Sequence, residues 1–449
     1  MFLRINSDFV FDNVQIRTIE NFELNKNGNI INYLKKFKEA NYIAHVESSK
    51  TDFVLGDIFQ KEYFHYPMEL FSRTKSHKKV LFRSSSSYQL FRNKSFNILF
   101  SQILSGKHKN LIFSKIPKSI NQAFIKAGED HLQDQRAIKL IYGKKIADES
   151  LLYKSIRESI FPKFTYMEVN LAKIFDLSFL KKESDLFEGY GSVRRVLNSY
   201  FGHLGTPESK TTNDGIVDIL DSLKYKMDIS HDEFHSDLYY WIINFNSVVS
   251  ICLSNFIVEI AVNPHTFSPL ALEQKNIIFN YGEKISKVSL RKMILLDAAI
   301  AESMRMSNVP FSFSTSCKDI FFSNGALVPK DSQTKFNVFL YNRNSKIFGK
   351  NAHLFSPDRQ LKLKNKLNIP SPTNFTWGAQ MYVCPFKDFI SDYMKIFAAT
   401  FIRTFRICKN HEGEILDHGG YVFEDLITRA NKSVYLRKHN ISYYVPDNF

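Results

Sequence analysis

The sequence is poor in the residues that would let cross-links or repeats hold it together. Its 449 residues contain four cysteines, Cys252, Cys317, Cys384 and Cys408, with no CxxC pair, which excludes a disulfide-stapled scaffold and the usual zinc-ribbon spacing. There are 17 glycines and 13 prolines, too few for a low-complexity chain, and no repeat of fixed period. No RNP-like motif, zinc-finger spacing or heptad basic arm is present, so the net charge of +15 reads as a scattered basic surface rather than a nucleic-acid footprint. The first twenty residues carry Arg4, Asp8 and Asp12 among their apolar residues, which predicts neither a signal peptide nor a membrane anchor. With so few cysteines, a soluble protein of the reducing cytoplasm is expected.

What the chain has in quantity is apolar and aromatic mass: 44% hydrophobic residues and 42 phenylalanines, ample for a core. Short β-like runs, NYIAHVES from Asn41 and TDFVLGDI from Thr51, predict small sheets in a β-rich part spanning about residues 1–100. From Asn121 onward apolar residues recur three and four apart, so helices should dominate. GTPESKTTNDG, from Gly205, is composed as an exposed loop. The most apolar helix candidate, Leu238 to Asn263, is interrupted by Asn244, Asn246, Asn255 and Glu259. It is therefore predicted to cross a protein core rather than a bilayer, with Pro264 ending it.

Chemistry concentrates near the C-terminus. The stretch NFTWGAQMYVCPFKDFISDYMKIF passes from a glycine-containing loop through Cys384 into a helix with Phe389, Tyr393, Ile396 and Phe397 along one face. Amides at a helix start and the positive end of its dipole favour a thiolate, the form that binds iron. A buried inert cysteine is the competing reading of these residues taken alone. Upstream, Glu302 and Arg305 lie one helical turn apart, as ordinary solvated ion pairs also do. HLFSPDRQL, from His353, brings in Arg359, 54 residues after Arg305 and 25 before Cys384.

This ordered set resembles the cytochrome P450 superfamily. Phe375 and Gly378 match its Phe-x-x-Gly haem loop, within a haem-binding segment 375–389, and Cys384 stands where the family has the axial cysteine. The interval from Gly378 to Cys384, six residues, and Trp377 are similar to prostacyclin-synthase-like members, while Phe386 replaces the family's usual glycine. Glu302 and Arg305 match the Glu-x-x-Arg of the K helix, and Arg359 the Pro-Asp-Arg of the meander, a structural triad. The resemblance implies a single domain over 1–449, mainly α with small β-sheets, having a long central distal helix over the haem. It implies haem b, iron protoporphyrin IX, with Cys384 as thiolate ligand and metal-binding residue. His131 and Arg136, in a C-helix-like segment, are candidates for the haem propionates.

Between Asn244 and Phe256 there is neither Thr nor Asp or Glu, so the family's acid-alcohol pair is missing. Asn244, Asn246, Ser247 and Ser250 are the polar residues left to handle protons, in a run similar to that of allene-oxide-synthase-like members. Asparagine bridging a helix kink is the plainer alternative. The resemblance implies a monooxygenase-type oxidoreductase acting on an organic substrate, lipid-like or a secondary metabolite. The alternatives are a peroxygenase or hydroperoxide isomerase or dehydratase needing no redox partner, and a non-catalytic haem-binding protein. An acidic ferredoxin or flavodoxin is the expected electron donor, docking near Lys139, Lys144, Lys145 and Lys387. Neither nucleic acid nor a transmembrane anchor is expected.

Overall fold

The structure, a computed structural model, describes residues 17–19, 43–46, 52–55, 60–72 except 68, 113, 116–117, 248–307, 311–378 except 324, 383–408, 421–424, 427–430 and 434–438. The expected exposed loop from Gly205, together with His131, Arg136, Asn244, Asn246, Ser247, Lys139, Lys144 and Lys145, lies outside these residues.

The two β-like runs near the N-terminus become strands β2 (Ile43–Val46) and β3 (Asp52–Leu55), paired antiparallel with Ile43 opposite Leu55. They do not make a small local sheet, as composition suggests. With β1 (Arg17–Ile19), α1 (Gln60–His65) following, and β4 (Phe71–Ser72), they join a six-stranded sheet whose other members come from far downstream. The reason is pairing: β3 runs parallel to a strand near residue 333, Asp52 opposite Gln333, a register that no local pattern encodes.

Helix α2 (Ser250–Val262) is the described end of the predicted central helix. Ile251, Phe256, Ile257 and Ile260 are all buried, the all-round apolar surface of a helix inside a core. A wider, π-type turn at 248–249 leads into it. Asn263 closes α2 by returning its backbone N–H (3.1 Å) and its side-chain Nδ2 (2.9 Å) to the Glu259 carbonyl. Pro264 both stops α2 and occupies the first turn of α3 (Pro264–Tyr281), where a missing N–H costs nothing. Ser286 and Ser289 form a capping box at the start of α4 (Lys287–Lys292). The Glu273 carboxylate of α3 then caps α5 (Ile294–Ser307), accepting from Leu295 N–H at 2.7 Å and Leu296 N–H at 3.1 Å. Among the described residues no helix is long and apolar enough to cross a membrane.

Beyond α5, β5 (Phe311–Ser316), the hairpin β6 (Ile320–Phe321) and β7 (Leu327–Val328), and β8 (Gln333–Asn337) follow, β5 and β8 completing the large sheet. Three short helices, α6 (Val338–Tyr341), α7 (Ser345–Phe348) and α8 (Pro357–Lys362), lead to the cysteine loop. Helix α9 (Lys387–Thr404) is followed by β9 (Phe405–Cys408), β10 (Tyr421–Glu424), β11 (Ile427–Ala430) and β12 (Tyr435–Lys438). Strand β10 pairs with β11, and β9 with β12. On α9, Phe389 and Ile396 are buried as expected, whereas Tyr393 and Phe397 are half-buried. Met394, Ala398 and Ala399 complete a wider buried face than the apolar stripe predicts.

An aromatic core welds the sheet to the cysteine loop. Phe336 of β8 packs on Phe64 (5.2 Å between centroids), and Phe64 packs on Phe375 (5.1 Å), which also meets Tyr341 at 4.8 Å. Burying one such ring is worth about 2–3 kcal/mol. Tyr63 adds a polar tie, its hydroxyl donating to the Ser312 carbonyl at 2.8 Å.

Candidate functional site

Glu302 is the hub of the described site. It is fully buried on α5, and Arg305, one turn on, grips it in bidentate fashion, Nε to Oε2 at 2.9 Å and Nη2 to Oε1 at 2.8 Å. Arg359 of α8 reaches the same Oε1 through Nη1. The three members of the predicted triad are therefore together. Two further donors complete the carboxylate: Gln360 Nε2 at 2.7 Å and the Ser356 backbone N–H at 3.0 Å. Such saturation is what keeps a buried charge affordable in a dry interior.

The remaining guanidinium protons hold the connecting chain. Arg305 donates to the carbonyls of Asn342, Ala352 (2.8 Å) and Leu354 (3.2 Å). Arg359 donates to those of Phe348 (3.0 Å), Asn351 (2.6 Å) and Leu354 (3.1 Å). Asn342 returns a bond to the Arg305 carbonyl at 3.1 Å. Two arginines thus fix the path of residues 342–356. Burial pulls the Arg359 guanidinium below its ordinary value, opposed by Glu302.

The cysteine loop continues from this framework. Asn374 sits in a two-residue bridge with Ser371, and its Nδ2 donates to the carbonyls of Lys366 and Ile369, both at 3.0 Å. Trp377 is buried, with its indole N–H donated to the Leu367 carbonyl at 2.5 Å. Gly378 turns the chain at φ 82°, a left-handed conformation that a side chain would strain. The Cys384 N–H then closes the loop on the Trp377 carbonyl at 2.8 Å. Three residues later α9 begins at Lys387, so Cys384 lies just before a helix start, as expected.

Electrostatically, donors and burial act on Cys384 in opposite directions. The Cys384 sulfur accepts backbone N–H groups from Phe386 and Lys387, and the Lys387 charge adds to them, yet burial outweighs all three and pushes the thiol up to about 11. A helix start by itself does not make this cysteine a thiolate. Burial alone pushes the Cys252 thiol up to about 12.

A second buried cluster went unread in the sequence. Glu259 of α2, noted there only as costly in lipid, accepts a hydrogen bond from the Tyr421 hydroxyl of β10. Arg343 stacks on Phe339 with its guanidinium carbon 3.4 Å from the ring centroid, and lies 5.8 Å from that of Tyr421. Its Nη2 donates to the Met306 carbonyl at the end of α5, at 2.5 Å. Only a composition cue, an acid within a strongly apolar helix, could have flagged it. Ser250 opens α2, but its side chain lies outside what is described, as do the side chains at His131, Arg136, Asn244, Asn246 and Ser247.

Residues 246–424 match the family model for cytochrome P450. The chain is 24% identical over 275 residues to a ferruginol synthase of Isodon rubescens, covering 58% of this chain and 54% of that protein. It is 24% identical over 200 residues to the cytochrome P450 monooxygenase nodR of Hypoxylon pulicicidum, covering 42% and 38%. The chain thus spans about half, or less, of the length of these relatives. In three dimensions it is similar to the haem domain of cytochrome P450DA, with a TM-score of 0.69 at 10% identity over 95% of this chain and 98% of that one.

Proteins of that fold hold protoporphyrin IX through a cysteine thiolate. The residues present fit such a group: a cysteine sulfur that already accepts two backbone N–H groups is arranged to carry negative charge, and a bound cation would offset what burial costs it. The matched family model over residues 246–424, the haem-domain fold and the Glu302 hub ahead of the cysteine loop are all similar to the cytochrome P450 superfamily.

Proposed function

We propose that the chain is a haem-thiolate oxidoreductase of monooxygenase type, folded as a single domain over 1–449, in which Cys384 is the axial ligand. The observation that carries this reading is the Cys384 sulfur held against the N–H groups of Phe386 and Lys387, on a loop closed by Trp377 and Gly378. Bound haem b supplies the activation of oxygen that no side chain can supply. The protein's own residues do the rest. Phe375 and Trp377 anchor the loop with buried rings, while Glu302, Arg305 and Arg359 hold the chain that leads into it. His131 and Arg136 are assigned to pairing with the haem propionates.

On the distal side, Asn244, Asn246, Ser247 and Ser250 are assigned the handling of protons. In the absence of an acid-alcohol pair, the Ser247 and Ser250 hydroxyls would pass protons through ordered water, or the Asn246 amide would hold a substrate oxygen. That same absence favours a second reading, in which a peroxide or hydroperoxide substrate brings its own oxygen and no redox partner is needed. The substrate class is organic and lipid-like, or a secondary metabolite. For the oxygen-using reading, an acidic ferredoxin or flavodoxin is the donor, with Lys139, Lys144, Lys145 and Lys387 as its electrostatic guide.

The test compares turnover of a hydrophobic substrate panel with dioxygen and reductant against turnover with hydrogen peroxide or lipid hydroperoxides. The monooxygenase reading expects reductant to be required, and Asn246→Ala keeps its activity where the relay runs through water near Ser247 and Ser250. Rapid hydroperoxide consumption without reductant, lost in a haem-replete Asn246→Ala variant, would replace it by the second reading.

A further inference from the structure

Asp297, in the first turn of α5, uses both carboxylate oxygens inside the protein. Oδ1 accepts from Lys395 Nζ at 2.8 Å, and Oδ2 accepts the Leu367 backbone N–H at 2.8 Å. Lys395 sits in the middle of α9 and is only 7% exposed, a place an ammonium group holds when it is paired. That pairing ties α9 to α5. It does not account for the second oxygen, which goes to a backbone amide in the segment between α8 and the cysteine loop.

Residues 366–369 of that segment are held by the cysteine loop as well. Leu367, fully buried, gives its carbonyl to the Trp377 indole N–H at 2.5 Å, and the Trp377 carbonyl accepts the Cys384 N–H at 2.8 Å. The Lys366 and Ile369 carbonyls both accept Asn374 Nδ2 at 3.0 Å. Asn368 Nδ2 donates to Asp388, in the first turn of α9, at 2.7 Å. Hydrogen bonds thus run without a gap through Asp297, Leu367, Trp377 and Cys384, from a carboxylate on α5 to the backbone of the cysteine.

We infer that Asp297 is a positioning residue for the Cys384 thiolate, acting through Leu367 and Trp377; the inference rests on Cys384 being the haem ligand. A sulfur is aimed by the backbone that carries it, and the Cys384 N–H is fixed only as well as the Trp377 carbonyl that accepts it. Trp377 is fixed in turn by its buried ring and by the carbonyl of a residue that Asp297 anchors. Release of Leu367 frees the loop to carry the sulfur away from the Phe386 and Lys387 N–H groups it meets. Residues that orient a metal ligand from behind matter for this reason. Lys395 has a different part: it balances the charge of Asp297, whereas Leu367 needs only the oxygen.

The experiment uses the full-length, haem-loaded protein and follows how fast its ferrous carbonyl complex loses the thiolate-type Soret band to a blue-shifted, thiol-type one. Two double variants that lack both charges are compared. Asp297→Asn with Lys395→Met keeps an amide oxygen for the Leu367 N–H, and Asp297→Ala with Lys395→Met removes it. The Ala pair is expected to lose the band about tenfold faster than wild type, and the Asn pair to stay near the wild-type rate. Trp377→Phe leaves the buried ion pair untouched but deletes the indole N–H, and should be as fast as the Ala pair. Combining it with the Ala pair should add little, because both cut the same path. Tyr421→Phe, which loosens a distant contact, should keep the wild-type rate. Equal rates for the Asn and Ala pairs, a wild-type rate in Trp377→Phe, full additivity of the two cuts, or a Tyr421→Phe rate matching the Ala pair overturns the inference and leaves the thiolate reading standing. A wild-type protein without the thiolate-type band overturns that reading and this inference with it.

Discussion

Two buried glutamates, Glu302 on α5 and Glu259 on α2, solve the same physical problem in different ways. Glu302 is surrounded by two guanidiniums, one amide and one backbone N–H, every donor tied in turn to chain that must be held in place. Glu259 meets a phenol from the C-terminal hairpin, with Arg343 stacked behind that ring. The first arrangement joins α5 to the segment 54–58 residues on that leads to the cysteine loop. The second fastens two segments 162 residues apart, α2 and β10. A saturated ion cluster should therefore be essential to the fold, and the phenol-carboxylate contact should act as a fastening whose loss is tolerated.

The sharpest way to break that contrast is Glu302→Ala. It strands the buried Arg305 and the partly exposed Arg359 and is expected to cost about 3–5 kcal/mol, seen in denaturant unfolding as poorly folded protein that retains little haem. A variant with wild-type stability and full haem would erase the distinction. Arg359→Ala should be milder, about 2 kcal/mol, because Arg359 is partly exposed and Arg305 keeps its bidentate grip. Equal losses at Arg359 and Glu302 would show that the triad is indivisible.

Tyr421→Phe removes one hydrogen bond and should cost about 1–2 kcal/mol, leaving haem content intact. It also carries a pH signature. Burial, with Glu259 next, raises the Tyr421 phenol well above its ordinary value of 10.0. The unfolded phenol ionises first, so the stabilisation is complete below about pH 10 and is lost as pH rises beyond it. Parallel stability curves above pH 10 would contradict this account. The smallest effect is expected at Phe279→Ser, within about 0.5 kcal/mol of wild type, since that ring contributes its surface to solvent rather than to the core.

The same contrast explains what sequence could show. Glu302 and Arg305 are legible because a helical turn places them together, and Arg359 through the resemblance of its Pro-Asp-Arg run to a meander motif. Gln360 and the Ser356 amide were not, since a glutamine and a backbone N–H carry no pattern of their own. Nor were the carbonyls of residues 342–354, which most of the arginine protons serve. Strands β2 and β3 could be seen locally, but their parallel partner near residue 333 could not. Cys384 was found through its glycine loop and helix start; the packing of that loop's Phe375 against Phe64 and Tyr341, rings from distant segments, was not.

The most direct test of the account is the ferrous carbonyl spectrum of purified wild-type and Cys384→Ala proteins. Wild type should show the red-shifted Soret band of a thiolate-ligated carbonyl, and Cys384→Ala, if it still binds haem, should lose it. The same band persisting in Cys384→Ala, or a histidine-type spectrum in wild type, would contradict the assignment of Cys384 as the ligand.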